Sequence, residues 1–436
     1  MSGSNAASRL HGVGEPAVVA LSLKDGTFWI LARSSWHHDR TTRRSPKLER
    51  KLCSAYTKGK TLKDVRVRPM RVASSNAFVE SIPESLKDFA RMTRKLSLNI
   101  PEFNLKKADD LPIIMKGLSP KKLHEILRLC ALVKLFEEEG ISGVVDIGCG
   151  LGYIDELLEQ RTKLKILGIE SNEYRTEAAT RRTKSVGRVF YRHLIIDGTS
   201  ECLDSLSKLT ENIFEPSTPL CLLGLHACGD LSPTMLKIFD GCASAEACIV
   251  VSCCYHRMDN NFPVSQGLKR RDIKISKTFL RIAAQESWEQ WRKQNKILQS
   301  WNLFFRASLE RFIKDFKVTA AKSRRKPLGT KNAGDIENFL RVGVRAYNSD
   351  EWEDHFIKWA LTQTNFIDKI RILCVIQARI QNIAEHFVLL DRLAYLIEKG
   401  YHPRLVRLFD NEISPRSLAI VCSKHSETLA NLAKTF

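Results

Sequence analysis

The clearest pattern of apolar and polar positions begins at Ser119. Leu123, Ile126, Leu127, Cys130 and Val133 recur at helical spacing and make one apolar face. Ser119 can cap that helix, Pro120 suits its first turn and Gly140 ends it. A regular alternation follows. Apolar runs at Gly143–Ile147, Lys165–Glu170, Val189–Ile196, Leu220–Ala227 and Ala247–Cys254 have the length of buried strands. Helical stretches lie between them, one from the glycine turn through Gln160 and one from about Glu173 to Ser185. Continuous apolar strands alternating with helices predict a parallel sheet covered on both faces. From about Ser276 to Lys399 the pattern turns helical, with aromatic-rich segments such as Trp288–Phe305. Two short strands, Leu405–Phe409 and Ser417–Cys422, then resume the sheet across a turn at Asp410–Arg416. The helical block of about 270–400 is therefore expected to be an insertion between the fifth and sixth strands.

The first hundred residues read differently. Val18–Leu23 and Thr27–Leu31 predict two strands around the hairpin signal Lys24-Asp25-Gly26. Ser34–Arg71 is basic, poorly periodic and of a composition that tolerates flexibility, and Ser81–Leu96 is expected to be helical. These features suggest a basic N-terminal region over 1–110, partly disordered or a small accessory domain, ahead of a larger domain over 111–436.

Charge sharpens that division. The chain of 436 residues carries a formal net charge of +20. Residues 1–107 alone hold 21 Lys and Arg against 9 Asp and Glu. Such a balance favours a polyanionic partner, RNA or a ribosomal or translation-related protein surface. Binding through it would be salt-dependent, with a slope near −0.9 per duplex phosphate neutralised and about −0.7 per single-strand phosphate. No apolar run approaches the roughly 18 residues of a membrane span. The small, polar start MSGSNAASRL lacks the apolar core of a secretory signal, which points to an intracellular protein of cytoplasm or nucleus. Cys228, Cys253 and Cys254 lie in or beside apolar strands and are read as reduced thiols. They could converge with His226 and His256 on a metal, but their spacing is no paired Cys-x-x-Cys motif, and no metal ligand is assigned.

The candidate chemistry starts at Asp146-Ile147-Gly148-Cys149-Gly150-Leu151-Gly152. Gly148, Gly150 and Gly152 let the chain turn sharply and let a ligand approach, with loop amides aimed at its carboxylate end. Asp146 at the strand end can accept from an ammonium. Glu170 ends the second strand, where an acid accepts from ribose hydroxyls, and Asn172 follows it. Asp197-Gly198 follows the third strand, placed for an adenine amino group. The pattern would also suit NAD. The Gly-x-Gly-x-Gly spacing, the preceding acid and the late strand pair favour S-adenosyl-L-methionine (SAM), as in the Rossmann-like seven-strand α/β sheet of class I SAM methyltransferases. The fourth strand ends His226-Ala227-Cys228-Gly229-Asp230 and the fifth Cys253-Cys254-Tyr255-His256, both at the carboxyl edge beside the cofactor methyl. His226, Asp230, Tyr255 and His256 are the candidates for orienting or deprotonating an acceptor, and His226 could also touch the cofactor.

These segments resemble the methyltransferase-like protein 25 family, close relatives of which are labelled ribosomal RNA adenine dimethylase domain-containing proteins. The resemblance runs from Met115–Glu125 through Asp146–Gly152, Gly168–Asn172, Leu225–Leu231, Cys253–His256 and Asn261-Phe262-Pro263. It continues in Ala283–Gln285, Phe304–Ala307, Leu389–Leu393 and Ser414-Pro415-Arg416. It implies a SAM-dependent methyltransferase domain with the helical insertion built in, acting on RNA or a translation-related protein. Adenine dimethylases carry an Asn/Asp-Pro-Pro-Tyr-like motif after the fourth strand, where this chain has His226–Asp230. The basic N-terminal region and the loop Lys322–Lys326 would recruit the acceptor. A SAM-binding scaffold without catalysis is the alternative that the motifs leave open.

Overall fold

The computed structural model describes residues 18–24, 27–33, 84–103, 117–183, 187–259, 262–273, 275–293, 296–320, 335–347, 349–425 and 427–428. The basic stretch Ser34–Arg71, the loop Lys322–Lys326, Met115-Lys116 and Asn261 lie outside them. The chain divides into two compact units, Met1–Leu96 and Ser97–Phe436. The first contains β1 (Val18–Lys24) and β2 (Thr27–Arg33), an antiparallel pair in which Lys24 faces Thr27. Helix α1 (Glu84–Leu96) completes the described part.

The second unit begins earlier than position 111. Ile100 and Phe103 are buried, and the backbone of Pro101 and Phe103 bonds to Arg407 in the last part of the chain. Helix α2 (Pro120–Glu138) follows, with the Ser119 hydroxyl capping the Lys122 amide. Then come β3 (Gly143–Ile147), α3 (Tyr153–Arg161), β4 (Lys165–Glu170), α4 (Glu173–Arg182) and β5 (Val189–His193). After α5 (Ser200–Ile213) come β6 (Leu220–Cys228), α6 (Leu231–Gly241) and β7 (Ala245–Cys253). Six helices, α7 (Gln266–Lys269), α8 (Lys277–Ala283), α9 (Trp288–Lys293), α10 (Lys296–Phe316), α11 (Ile336–Arg345) and α12 (Glu353–Thr362), precede the long α13 (Ile367–Glu398). Strands β8 (Arg404–Arg407) and β9 (Leu418–Ser423) close the sheet.

The seven strands lie in the order β5-β4-β3-β6-β7-β9-β8, parallel except for β9, which runs antiparallel to both neighbours. This is the class I methyltransferase arrangement that the sequence led us to expect. The order reverses between β3 and β6, so a crevice opens at their carboxyl ends. Strands β3 and β9 are buried at every position, as a sheet covered on both faces demands. Ile126, Leu129, Val133 and Phe136 of α2 join Val144, Ile166, Leu223 and Ile249 in one core. The insertion has a second core, in which Phe304, Phe305 and Phe312 of α10 meet Phe339 of α11 and Phe356 of α12. Helix α13 ties the two together by packing against both β8 and α10.

Candidate active site

The loop after β3 turns back on β4. The amides of Gly148 and Cys149 both donate to the Ile169 carbonyl, at 2.7 and 3.1 Å, and that of Gly152 donates to the Cys149 carbonyl. The Gly150 amide donates to Glu170 Oε2 at 3.0 Å. The Gly148, Cys149 and Gly150 amides are therefore spent on the end of β4 and the Gly152 amide within the loop, so these four are not aimed at a ligand carboxylate as the sequence suggested. The cause is the parallel neighbour β4, whose end offers the nearer acceptors.

The three glycines do different work. Around Gly150 an added Cβ would meet nothing within 4 Å, so open space lies beside it. At Gly152 the same atom would sit 2.2 Å from the Tyr191 hydroxyl. Gly152 thus makes room for Tyr191, which bonds to the Thr183 hydroxyl at 3.0 Å, so the lack of a side chain there serves packing. Gly148 has only Leu231 nearby, at 3.7 Å.

Asp146 is 1 % exposed at the end of β3, and neither carboxylate oxygen has a hydrogen-bond partner. Beside it, on α3, Asp155 is equally buried and equally unpaired by distance. Burial and the nearby Glu170 charge raise the Asp146 carboxyl to about 7, against the opposing pull of the Asp155 carboxyl and the Lys122 charge. Burial and the Asp146 charge push Asp155 well up as well. Two carboxyls so placed without a cation hold a proton between them. Glu170 Oε1 accepts from the Asn172 amide at 3.0 Å and the Ser171 hydroxyl at 3.3 Å, while Oε2 accepts only the Gly150 amide at 3.0 Å and keeps a further lone pair. Asn172 itself caps α4 through Arg175, so its side-chain acceptor is committed to the helix. Asp197 is exposed, and bonds from the Thr199 amide and hydroxyl hold its carboxyl below the usual range. Gly198 packs on α6, where an added Cβ would meet Thr234 at 3.1 Å.

This set suits the charged end of SAM. The orphaned Asp146 carboxylate would suit a buried cation such as the cofactor's ammonium, and open space lies beside Gly150.

The acceptor edge is built by two departures from regular strand geometry. His226 lies inside β6 at φ +61°, where the β6–β7 register slips: Leu225 faces Val251, yet Ala227 faces Ser252. The slip is a β-bulge that re-aims the side chain at a sheet end. His226 Nε2 lies 3.0 Å from Glu125 Oε2 of α2. Glu125 is buried, and its other oxygen accepts from the Ser414 hydroxyl at 2.5 Å and pairs with Lys121 at 3.4 Å. Burial would raise the Glu125 carboxyl, but His226, Ser414 and Lys121 outweigh it and hold the carboxyl down. Sequence reasoning missed Glu125 because its charge interrupts an apolar helix face and reads as solvated. Its position 101 residues before His226 gives no local signal.

The second departure is Cys254 at φ +46°. Past it, Tyr255 turns inward, 1 % exposed, with its hydroxyl 2.8 Å from Glu385 of α13. Arg416 completes that knot, with Nη1 2.8 Å from the same Glu385 oxygen. Tyr255 therefore cannot face an acceptor as the sequence suggested. Burial and the Glu385 charge push its phenol well up and keep it neutral. Asp230, at the start of α6, accepts the Asp259 amide at 3.0 Å and so fixes the loop beyond Tyr255. His256 is half-buried with an unpartnered Nδ1, its basicity lowered by burial and by Arg281 and Arg257. Cys228 and Cys253 face each other across β6 and β7 with Sγ atoms 2.8 Å apart. The hydrogen bond from Cys253 draws the Cys228 thiol down to about 6 and pushes Cys253 up.

Fold and crevice together define a SAM-dependent methyltransferase domain. Comparison with known proteins agrees: a family model described as a methyltransferase domain matches residues 121–261. The chain is 26% identical over 236 residues to the mouse protein named "Probable methyltransferase-like protein 25", covering 49% of this chain and 39% of that protein. Its human counterpart is 26% identical over 296 residues, covering 62% of this chain and 47% of that one. The similarity bears out the resemblance carried by the motifs, and it spans less than half the length of either relative. Among solved structures, a Bacillus cereus O-methyltransferase in complex with SAH is 16% identical, with a TM-score of 0.23. The match covers 40% of this chain and 68% of that one. A geranyl diphosphate C-methyltransferase from Streptomyces coelicolor A3(2) is 13% identical, with a TM-score of 0.21. It covers 40% of this chain and 66% of that one. No described helix is long and apolar enough to cross a membrane.

Proposed function

We propose that the chain transfers the methyl group of SAM to a macromolecular acceptor, and that the acceptor is RNA. The observation that carries the acceptor class is charge at the edge of the crevice. Arg257, Lys269, Arg270, Arg271, Lys277 and Arg281 are all exposed along the segment that leaves β7. Arg257 and Arg281 act on His256 directly, so these two charges lie beside the candidate acceptor residues. A phosphate backbone is the natural partner of such a row.

When bound, the cofactor supplies an electrophilic methyl on a sulfonium, which is already a good leaving group. The protein's share is alignment and electrostatics. Asp146 receives the ammonium, Glu170 the ribose hydroxyls and Asp197 the adenine amino group. His226 takes the acceptor's proton. Its Nε2–H donates to Glu125, which leaves Nδ1 as the basic atom, and Glu125 is the positioning residue that fixes this tautomer.

His226→Ala is expected to lower kcat by about 10²–10⁴-fold, the usual worth of a positioned base, with SAH affinity nearly unchanged. Steady-state kinetics beside a calorimetric SAH titration reads both. A loss of SAH affinity equal to the loss of kcat would assign His226 to cofactor binding instead. The substrate class is tested with tritiated SAM in a lysate lacking the endogenous enzyme. Label in RNA supports the proposal. Label in protein alone refutes the acceptor class, and no label with SAH still bound favours the scaffold alternative. RNA affinity should fall linearly in log–log form as salt rises, losing about 0.7–0.9 per phosphate contact, and a salt-independent affinity contradicts the charge argument.

A further inference from the structure

Three thiols meet at the acceptor edge, and the backbone is distorted to bring them there. Successive side chains on a strand point to opposite faces, so Cys253 and Cys254 would ordinarily diverge. The left-handed Cys254, at φ +46°, breaks that rule at the end of β7. In unbroken register with Leu225 facing Val251, Cys253 would stand opposite Ala227. The extra residue at His226 puts it opposite Cys228 instead. Gly229 then lets the returning chain pass close by, since an added Cβ there would lie 2.9 Å from the Arg257 carbonyl. The outcome is a set of three Sγ atoms, from Cys228, Cys253 and Cys254, all within 4.8 Å of one another.

Left-handed non-glycine residues are strained and persist where the fold enforces them. Thiols on three positions sharing one point suit a soft or borderline divalent cation. In a tetrahedral site with zinc–sulfur bonds of about 2.3 Å, sulfur atoms stand about 3.8 Å apart. Cys228 and Cys253 need open by only about an ångström from 2.8 Å to meet that. A disulfide between those two would leave the Cys254 distortion without a purpose.

We propose that Cys228, Cys253 and Cys254 bind one zinc-class divalent cation through three thiolates. Cys228 and Cys254 are half-buried, so the fourth position opens towards solvent at the acceptor edge. Each coordinating thiol gives its proton to solvent as the metal binds, and no electron transfer is involved. None of the three cysteines is among the residues that receive SAM, and metal binding is read without methyl transfer.

The experiment uses the full chain, purified under reductant and without chelator. Metal analysis is expected to find one zinc per chain. Replacement by cobalt should give a near-ultraviolet sulfur-to-cobalt charge-transfer band with the visible bands of a tetrahedral site. Cys254→Ser should weaken metal binding at least about tenfold in competition with a chromophoric chelator, while Cys242→Ser, outside the cluster, should not. Circular dichroism checks that each variant is folded. A reduced wild-type chain that gives no cobalt–thiolate band overturns the proposal. So does a band that survives Cys228→Ser and Cys254→Ser alike. A Cys228–Cys253 disulfide in protein alkylated at lysis overturns it as well.

Discussion

Asp146→Asn is expected to bind S-adenosylhomocysteine about 10- to 150-fold more weakly than the wild type. A hydrogen bond to a charged partner contributes about 1.5–3 kcal/mol, which is that ratio of dissociation constants. The same variant is expected to be the more stable protein without ligand above about pH 7. The sign follows from the carboxyl, which sits at about 7 in the fold against an ordinary 3.8. Between those values the folded chain holds the proton that the unfolded chain has lost, so stability falls as pH rises through the window. Asparagine has no proton to lose, and it also relieves Asp155 of its neighbour. Thermal unfolding of both proteins on either side of neutrality, alongside calorimetry, measures the two effects. A variant that binds as tightly as the wild type removes Asp146 from the cofactor site.

Gly152→Ala should be the most disruptive single change in the loop, costing about 2–5 kcal/mol. About 1–2 kcal/mol comes from holding alanine at φ +69°, and about 1–3 from forcing a methyl against Tyr191. That is a large part of the 5–15 kcal/mol by which domains are ordinarily stable. Gly150→Ala bears the conformational cost alone, because nothing lies within 4 Å of its Cβ. It should stay folded and lose SAH affinity. Denaturant unfolding of the two variants separates them. Equal destabilisation would mean that Tyr191 moves aside and that Gly152 has no packing role.

The order of elements was legible because each depends on local pattern. The apolar runs of β3, β4 and β6 and the Ser119-Pro120 start of α2 each declare themselves within a dozen residues. The late strands β8 and β9 could be placed as a pair for the same reason. The site was legible only in part. Asp146, Gly150 and Glu170 stand at strand ends, where topology alone brings them together. Tyr255 misled because its burial is decided by Glu385 and Arg416, 130 and more residues further on. Asp391 acts at similar range: its carboxylate takes the Val264 and Ser265 amides of the loop after β7. The Leu389–Leu393 and Ser414–Arg416 motifs thus hold the insertion and the acceptor edge in place. Periodicity cannot reveal such partners. Nor could it reveal the bulge at His226 or the turn at Cys254, since neither carries the glycine that would have announced a left-handed backbone.

The central claim is that a buried, unpaired carboxylate on β3 waits for the cofactor's ammonium. It is tested most directly by titrating S-adenosylhomocysteine into the wild-type chain calorimetrically between about pH 6 and pH 8, in buffers of different ionisation heat. One ligand per chain is expected, with affinity rising as pH passes about 7 and protons released on binding below it, because the ammonium displaces the proton that Asp146 shares with Asp155. Absence of binding, or an affinity flat across that range with no proton exchanged, would contradict the account.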